Sequence, residues 1–292
     1  MNISDCSELL CESLNNNSGF FFRKGTLLEE GKTLFQAYEV WDTPQFGKLF
    51  RLDGYFMTSE RDEFFYHENM VHPALVTHPD PKAVLIIGGG DGGSAEEVFK
   101  HPSIERIVLV ELDKGVIDLA RRFFGSIHRG SLDDPRMEIL IEDGLKYVRE
   151  IGPGRGDEFD IVVLDLTDPI GPATELYTPR FMADCKALLN SGGMFVLHIG
   201  SPVFEPGRVS GLMNNLESVF HHAAPYFAYV PLYGTLWGMA CASDLRDPRL
   251  MDRIKVDEIV RDRSLQDLQY YNGSVHEAGF ALPGYLKKIL YP

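Results

Sequence analysis

From about Gly19 to Leu52 apolar and polar residues alternate, most clearly through Thr33-Leu34-Phe35-Gln36-Ala37-Tyr38-Glu39-Val40-Trp41. A period of two predicts strands with one buried face. Turn residues at Asp42-Thr43-Pro44 and Asp53-Gly54 fold them into a small antiparallel β unit. The period then lengthens: Phe64, Phe65, Tyr66, Met70 and Val71 share one face of a helix expected over 61–75. His78-Pro79-Asp80-Pro81 reads as a hinge-like linker. Beyond it, short runs of Val, Ile, Leu and Phe at 83–88, 106–111, 137–141, 159–164 and 194–199 alternate with amphipathic stretches such as 116–124 and 179–189. That rhythm is the βαβ signature of a parallel sheet covered on both faces. The strands expected at 226–233 and 236–242 are joined too tightly for a helical crossover, so they form an antiparallel hairpin at the sheet edge. The fold class is α/β: a Rossmann-like, adenosylmethionine-type doubly wound sheet with an antiparallel edge hairpin, preceded by a small antiparallel β domain. The expected boundaries are a flexible tail at 1–18, the β domain with its connecting helix at 19–78, and the catalytic domain at 79–292.

The tail reading rests on polar residues such as Asn15-Asn16-Asn17-Ser18, without the basic start and apolar stretch of a secretory signal. No run of about 20 apolar residues suggests a membrane span. Four scattered cysteines, at 6, 11, 185 and 241, lack metal-ligand spacing and point to a reducing, cytoplasmic setting. The net charge of -15 disfavours a nucleic-acid partner, whose phosphates require a basic face, and is compatible with a cationic small molecule.

The first long apolar run ends in Gly88-Gly89-Gly90-Asp91-Gly92-Gly93, at a strand-to-helix turn where glycines let backbone approach a nucleotide-like ligand. Glu111 ends the next strand, where an acid accepts hydrogen bonds from ribose hydroxyls. Asp91 stands inside the loop. A carboxylate there repels a pyrophosphate or the carboxylate of intact adenosylmethionine, and welcomes a ligand tail ending in ammonium; the bland alternative is a turn cap. The third strand ends in Glu142-Asp143-Gly144, where Asp143 can accept from an adenine amino group. The fourth ends in Asp165-Leu166-Thr167-Asp168-Pro169-Ile170-Gly171-Pro172-Ala173, with two acids past the carboxyl end of a central strand, where doubly wound folds bind ligands. The loop that follows is a candidate lid. Asp168 could instead shape a turn, whereas Asp165 after four apolar residues needs a charged partner. No His/Cys/Asp group has the spacing of a metal site.

These motifs, with Gln36, Leu52-Asp53-Gly54, Glu60-Arg61-Asp62-Glu63-Phe64-Phe65-Tyr66-His67-Glu68, Tyr270-Tyr271-Asn272 and Val275-His276, resemble the polyamine aminopropyltransferase family, spermidine synthases most closely. The resemblance implies a transferase of polyamine biosynthesis that moves the aminopropyl group of decarboxylated S-adenosylmethionine, a co-substrate, to putrescine, with no prosthetic group. It implies that Gln36, Glu111, Asp143, Gly144 and Pro172 hold the methylthioadenosine part, and that His67 and Asp91 face the aminopropyl chain. Tyr66, Asp165, Asp168 and Tyr233 would line the amine channel, with Asp165 as proton acceptor. For Tyr66 and Tyr233 the alternative is core packing, and for His67 a hydrogen-bonded core position. A homodimer or homotetramer is the implied assembly. Many diamine-using members carry Asp-Ser-x-Asp where this chain has Asp165-Leu166-Thr167-Asp168, and the 230–237 segment is shorter than usual. Spermidine, agmatine or cadaverine therefore stay open as acceptors, and an adenosylmethionine-dependent methyltransferase is the rival from another reaction class.

Overall fold

The computed structural model of the chain describes residues 6–168 and 171–291, the side chains of Cys6 and Pro172 excepted. Three sheets are present among them. Strands β1 (Leu9–Asn15) and β2 (Ser18–Arg23) form an antiparallel hairpin. Strands β3 (Thr26–Lys32), β4 (Ala37–Thr43), β5 (Gly47–Leu52) and β6 (Tyr55–Ser59) form a four-stranded antiparallel sheet in chain order. Helix α1 (Glu63–Thr77) leads to a seven-stranded sheet of β7 (Ala83–Gly88), β8 (Arg106–Glu111), β9 (Met137–Ile141), β10 (Phe159–Asp165), β11 (Leu189–Gly200), β12 (His222–Val230) and β13 (Thr235–Ser243). Its order is β12-β13-β11-β10-β7-β8-β9. The five strands from β9 to β11 in that order are parallel, and β13 and β12 close the edge antiparallel, as the short connection between them requires.

The central strands are apolar at every position because both faces are covered. Leu85 and Ile87 of β7 pack into one buried cluster, with helices α4 (Pro179–Lys186) and α5 (Pro206–Val219) supplying Phe181, Met182, Leu212 and Leu216. Val84 and Ile86 point the other way into a second cluster. There Met70 and Leu75 of α1, Val98 of α2 (Gly93–Phe99) and Ile117 of α3 (Lys114–Phe123) cover the sheet. Each fully buried aliphatic side chain contributes about 1.5–3 kcal/mol. Among the described residues no helix is long and apolar enough to cross a membrane.

The tail expected over 1–18 is a strand from Leu9 onward, and Met1 to Asp5 lie outside the described residues. Asn15-Asn16-Asn17, read as tail, is the hairpin turn: the Asn15 side-chain oxygen accepts from the Asn17 and Ser18 backbone N–H groups, each at 2.9 Å. The hairpin is held by aromatic packing. Phe22 meets Phe46 at 4.6 Å and Phe56 at 5.2 Å between ring centres, and Leu10 joins the same cluster with Leu232 from the β12–β13 turn. The expected apolar stripe on α1 also needs correction. Phe64 and Phe65 are half-buried and stack on each other, while Glu63, His67, Glu68 and His72 are buried. The helix is enclosed on several sides, so its polar residues are satisfied internally. The Glu68 carboxylate accepts from three successive backbone N–H groups, those of Gln269, Tyr270 and Tyr271, at 2.6–2.9 Å.

Candidate active site

The parallel strands β7, β8, β9 and β10 end side by side, and their carboxyl ends open into a cavity of about 490 Å³. The small sheet brings Gln36, Met57 and Thr58 to its wall; α1 brings Glu63, Tyr66 and His67, and the β12–β13 turn brings Leu232 and Tyr233. Every sequence-derived candidate except Asp168 and Pro172 lines this cavity. The side chain of Pro172 lies outside the described residues, as do Pro169 and Ile170 of the candidate lid.

The glycine loop is shaped by what lies behind it. Gly88 has φ +82°, a conformation that side chains disfavour, and a Cβ there would strike the Asp165 carbonyl. A Cβ on Gly93 would strike the His67 ring, so this glycine lets α2 press against α1. That contact sets the central constellation. The two ring nitrogens of His67 meet Glu63 at 2.8 Å and Asp91 at 3.4 Å. Burial alone would lower the His67 pKa, but the two carboxylates outweigh it and hold the pKa well above the usual histidine value. Asp91 also accepts from the Gly93 N–H at 3.1 Å. Burial pushes Asp91 up, yet His67 and this backbone bond bring it below the ordinary carboxylate value.

Asp165 behaves oppositely. Its two oxygens accept from the Tyr66 hydroxyl at 3.0 Å and the Ser94 hydroxyl at 2.6 Å. Burial, then repulsion from Asp91, raises its pKa despite the opposing pull of His67 and the two hydroxyls. One ligand-type atom from each of His67, Asp91 and Asp165 falls within 4.8 Å of the others. Spacing along the chain did not reveal this cluster, because the three residues come from different elements. Its two acids and flanking aromatics suit a cationic nitrogen. Tyr233 donates to the Met57 carbonyl at 2.9 Å and stands edge-to-face with Tyr66, with ring centres 5.9 Å apart. Trp237 packs behind Tyr233 at 4.8 Å.

Glu111 accepts from the Asp113 N–H at 2.8 Å. Burial pushes its pKa up to about 7 despite that bond. Gln36 donates to Asp113 at 3.0 Å, which fixes its side chain at the cavity wall. Asp143 is exposed at the rim and caps the following turn through Leu145 N at 2.7 Å. Gly144 beside it has no room for a side chain, since a Cβ would come 2.7 Å from Ile87.

Asp168 is turned elsewhere: one oxygen pairs with Arg208 at 2.9 Å, and it is not among the described residues lining the cavity. Sequence reasoning missed Glu63, Ser94 and Glu12. The spacing of four between Glu63 and His67 on a helix was a usable signal for the first, and the position of Ser94 just past the glycine loop for the second. Glu12 was discounted with the tail. It accepts from the Phe56 N–H, and burial raises its pKa to about 7, with the charge of Asp168 adding to the rise. Its charge also acts on Tyr233, so the hairpin brings an acid to the tyrosine end of the cavity.

The model of the spermine/spermidine synthase domain matches residues 63–249. A polyamine aminopropyltransferase of Nitrosomonas europaea is 44% identical over 98% of this chain and 87% of its own length. That of Bacillus subtilis is 34% identical over 96% and 97%. Among solved structures, a spermidine synthase in complex with the transition-state analogue AdoDATO superposes with a TM-score of 0.88 at 37% identity, covering 97% of this chain and 94% of its own. Spermidine synthase from Thermotoga maritima gives 0.85 at 35%, with the same coverage. The chain thus belongs to the spermine/spermidine synthase family, and its chemistry is that of a polyamine aminopropyltransferase.

Proposed function

We propose that the chain transfers the aminopropyl group of decarboxylated S-adenosylmethionine to putrescine, giving spermidine and 5'-methylthioadenosine. The observation that carries this reading is the half-buried acid inside the glycine loop, Asp91, set beside a second acid of opposite pKa shift, Asp165. Asp91 stays ionised and suits the ammonium that replaces a carboxylate in the decarboxylated co-substrate. It would repel the carboxylate of intact adenosylmethionine, which argues against a methyltransferase. Glu111 and Gln36 would hold the ribose end, and Asp143 and Gly144 the adenine end; all four line the cavity. The spermidine synthase crystallised with AdoDATO supports the assignment by likeness.

In the reaction, the acceptor nitrogen's lone pair forms a bond to the carbon attached to sulfur. The carbon–sulfur bond breaks and its electron pair neutralises the sulfonium. The new secondary ammonium or its amine precursor gives a proton to Asp165. A primary amine with a pKa near lysine's, about 10.4, is mostly protonated at neutral pH, so the acceptor must first be freed. An acid made more basic by burial is a better proton acceptor than an ordinary carboxylate, and the sulfonium nearby lowers the amine's own pKa. Tyr66, fixed on Asp165, and Tyr233 hold the amine chain in line, and such alignment supplies a large share of the acceleration. We place the reaction in the cytoplasm and the chain in a homodimer or homotetramer; exposed Leu27 and Leu28 on the small sheet, with Leu34 in the β3–β4 connection, support association, which sedimentation would test.

The deciding experiment incubates the protein with decarboxylated and with intact adenosylmethionine, each against putrescine, cadaverine, agmatine and spermidine, and separates the products. Spermidine and 5'-methylthioadenosine should dominate from the decarboxylated form with putrescine. A higher kcat/KM with spermidine would replace the acceptor and keep the reaction; methylated products would replace the reaction.

A further inference from the structure

The register between β10 and β11 runs as far as Leu164 opposite Leu197. One residue further along β11 a side chain takes over the work of the ladder. His198 Nε2 lies 2.9 Å from the Leu166 carbonyl. A carbonyl only accepts, so Nε2 carries the proton. The Tyr177 hydroxyl donates to the next carbonyl, that of Thr167, at 3.0 Å, and sits 2.8 Å from the same imidazole nitrogen. Directly and through Tyr177, His198 thus holds the two residues that follow Asp165. Its other nitrogen, Nδ1, is buried and has no hydrogen-bond partner among the described residues. A second proton there would be an N–H buried without an acceptor, and burial lowers the His198 pKa accordingly. The ring is neutral, in contrast to His67. A chain of rings leads from it back to the acid. Trp237 stacks on His198 with centres 5.6 Å apart, Tyr233 packs on Trp237, Tyr66 meets Tyr233, and the Tyr66 hydroxyl donates to Asp165. The contacts close a circuit that leaves Asp165 through its carboxylate and returns through the carbonyl of the next residue. Leu166 and Thr167 line the cavity; His198 stands behind them and does not.

Resting on the aminopropyl-transfer reading, with Asp165 as proton acceptor, we propose that His198 is a positioning residue for Asp165: it fixes the backbone after the acid and thereby aims the carboxylate at the acceptor nitrogen. A side chain as short as that of aspartate moves with its own peptide. On the strand side that peptide is held by the Gly89 N–H, which donates to the Asp165 carbonyl at 2.8 Å. On the loop side the hold comes from His198 and Tyr177. Without it the 166–167 segment is free to shift, and a displacement of about 1 Å in a group that must meet a reacting atom costs roughly a hundredfold in rate. The cost falls on the bond-making step, so it belongs in kcat.

The test is a double-mutant cycle between His198→Leu and Asp165→Asn, read as kcat, KM for the amine and calorimetric affinity for 5'-methylthioadenosine. Alone, His198→Leu should lower kcat by roughly a hundredfold and leave KM and nucleoside affinity within about twofold. In the Asp165→Asn background, where no proton acceptor remains to be aimed, it should lower kcat by no more than about twofold further. A merely structural role would instead repeat the full loss in both backgrounds. His198→Gln, whose amide N–H can donate to the same carbonyl, should recover most of the loss. Tyr177→Phe deletes one hydroxyl and keeps the ring, so it tests the same hold should His198→Leu fold poorly in thermal denaturation. It should lower kcat several-fold and show the same lack of additivity with Asp165→Asn. Additive losses, a His198→Gln as slow as His198→Leu, or an effect confined to KM would overturn the proposal. If wild type released no 5'-methylthioadenosine with any amine, the reaction assignment would fail first. If Asp165→Asn kept its turnover, the proton-acceptor role would fail, and either outcome takes this proposal with it. Losses that simply add would remove His198 alone.

Discussion

Asp91 and Asp165 share one wall of the cavity yet differ in the sign of their pKa shifts, which assigns them different work. His67 keeps Asp91 ionised, while burial and Asp91 itself make Asp165 more basic. Asp165→Asn keeps the size of the side chain and can accept from one of the Tyr66 and Ser94 hydroxyls, but cannot take a proton. Steady-state kinetics at pH 7 should show turnover reduced by roughly 10²–10⁴, the range of general base catalysis. Co-substrate affinity should change little, and pH 9, where more amine is free base, should restore part of the rate. Asp91→Asn removes a charged partner worth about 1.5–3 kcal/mol, so calorimetry should show weaker binding of both ligands. Because His67 then keeps only Glu63, its pKa should fall, which NMR titration of the ring would report. Glu111 makes a third prediction. With a pKa of about 7 it is half protonated near neutrality, and only its ionised form accepts fully from two hydroxyls. Binding the nucleoside should therefore release protons below about pH 7, tighten between pH 6 and pH 8, and level off above. Calorimetry in buffers of different ionisation enthalpy measures the release, and Glu111→Gln should abolish it. Glu111, Asp143 and Asp165 were legible as acids that abruptly end apolar runs. Glu12 and Arg208 were not, because their meaning comes from approach in space to Tyr233 and Asp168 and from no local pattern.

Helix α1 joins the small sheet to the large one and gives the site Glu63, Tyr66 and His67, so its placement fixes the geometry of the chemistry. Its far side is tied to the C-terminal segment through Glu68, whose carboxylate collects the N–H groups of Gln269, Tyr270 and Tyr271. Glu68→Ala would leave three backbone donors without a partner, that of Tyr271 buried, and should destabilise the fold by about 3 kcal/mol in denaturant titration. Kinetic loss should accompany it only where the fold begins to open. The β1–β2 hairpin acts at the other end. Glu12→Gln should raise KM for the amine several-fold and leave co-substrate affinity unchanged, since the hairpin that carries Glu12 packs against Leu232 and Tyr233. Inhibition by methylthioadenosine analogues would check the second half of that statement. The strands of the large sheet were readable because burial on both faces imposes continuous apolar runs. The hairpin was not: its alternation from Leu9 to Leu14 is short, and its polar Asn15-Asn16-Asn17 turn looks like a tail until Ser18 to Arg23 pairs back on it. The apolar stripe expected on α1 holds at Tyr66, Met70 and Val71 and misses the buried Glu63, His67, Glu68 and His72 for a related reason. A helix enclosed by sheet, loop helix and C-terminal segment can bury acids and histidines that pair with one another, and periodicity does not foresee such partners.

At the scale of the molecule, parallel strands deliver their carboxyl ends to one edge, and this chain places an acid at or just past four of them. A net charge of -15 is ordinary solubility until those acids converge, and then it becomes a field felt by ligands. The field has a consequence for direction. On the proposed reading, decarboxylated adenosylmethionine enters with a sulfonium and an ammonium, both drawn toward Asp91, Asp165 and Glu111. When the carbon–sulfur bond breaks, the nucleoside fragment becomes a neutral thioether and the lengthened polyamine carries away the positive charge. The same carboxylates that draw the nucleoside in lose their hold on it at the instant of reaction, so the step that makes the product also loosens it. Rising ionic strength should therefore weaken capture of the co-substrate while leaving inhibition by methylthioadenosine almost unmoved, and the polyamine, still cationic, should be the product that lingers.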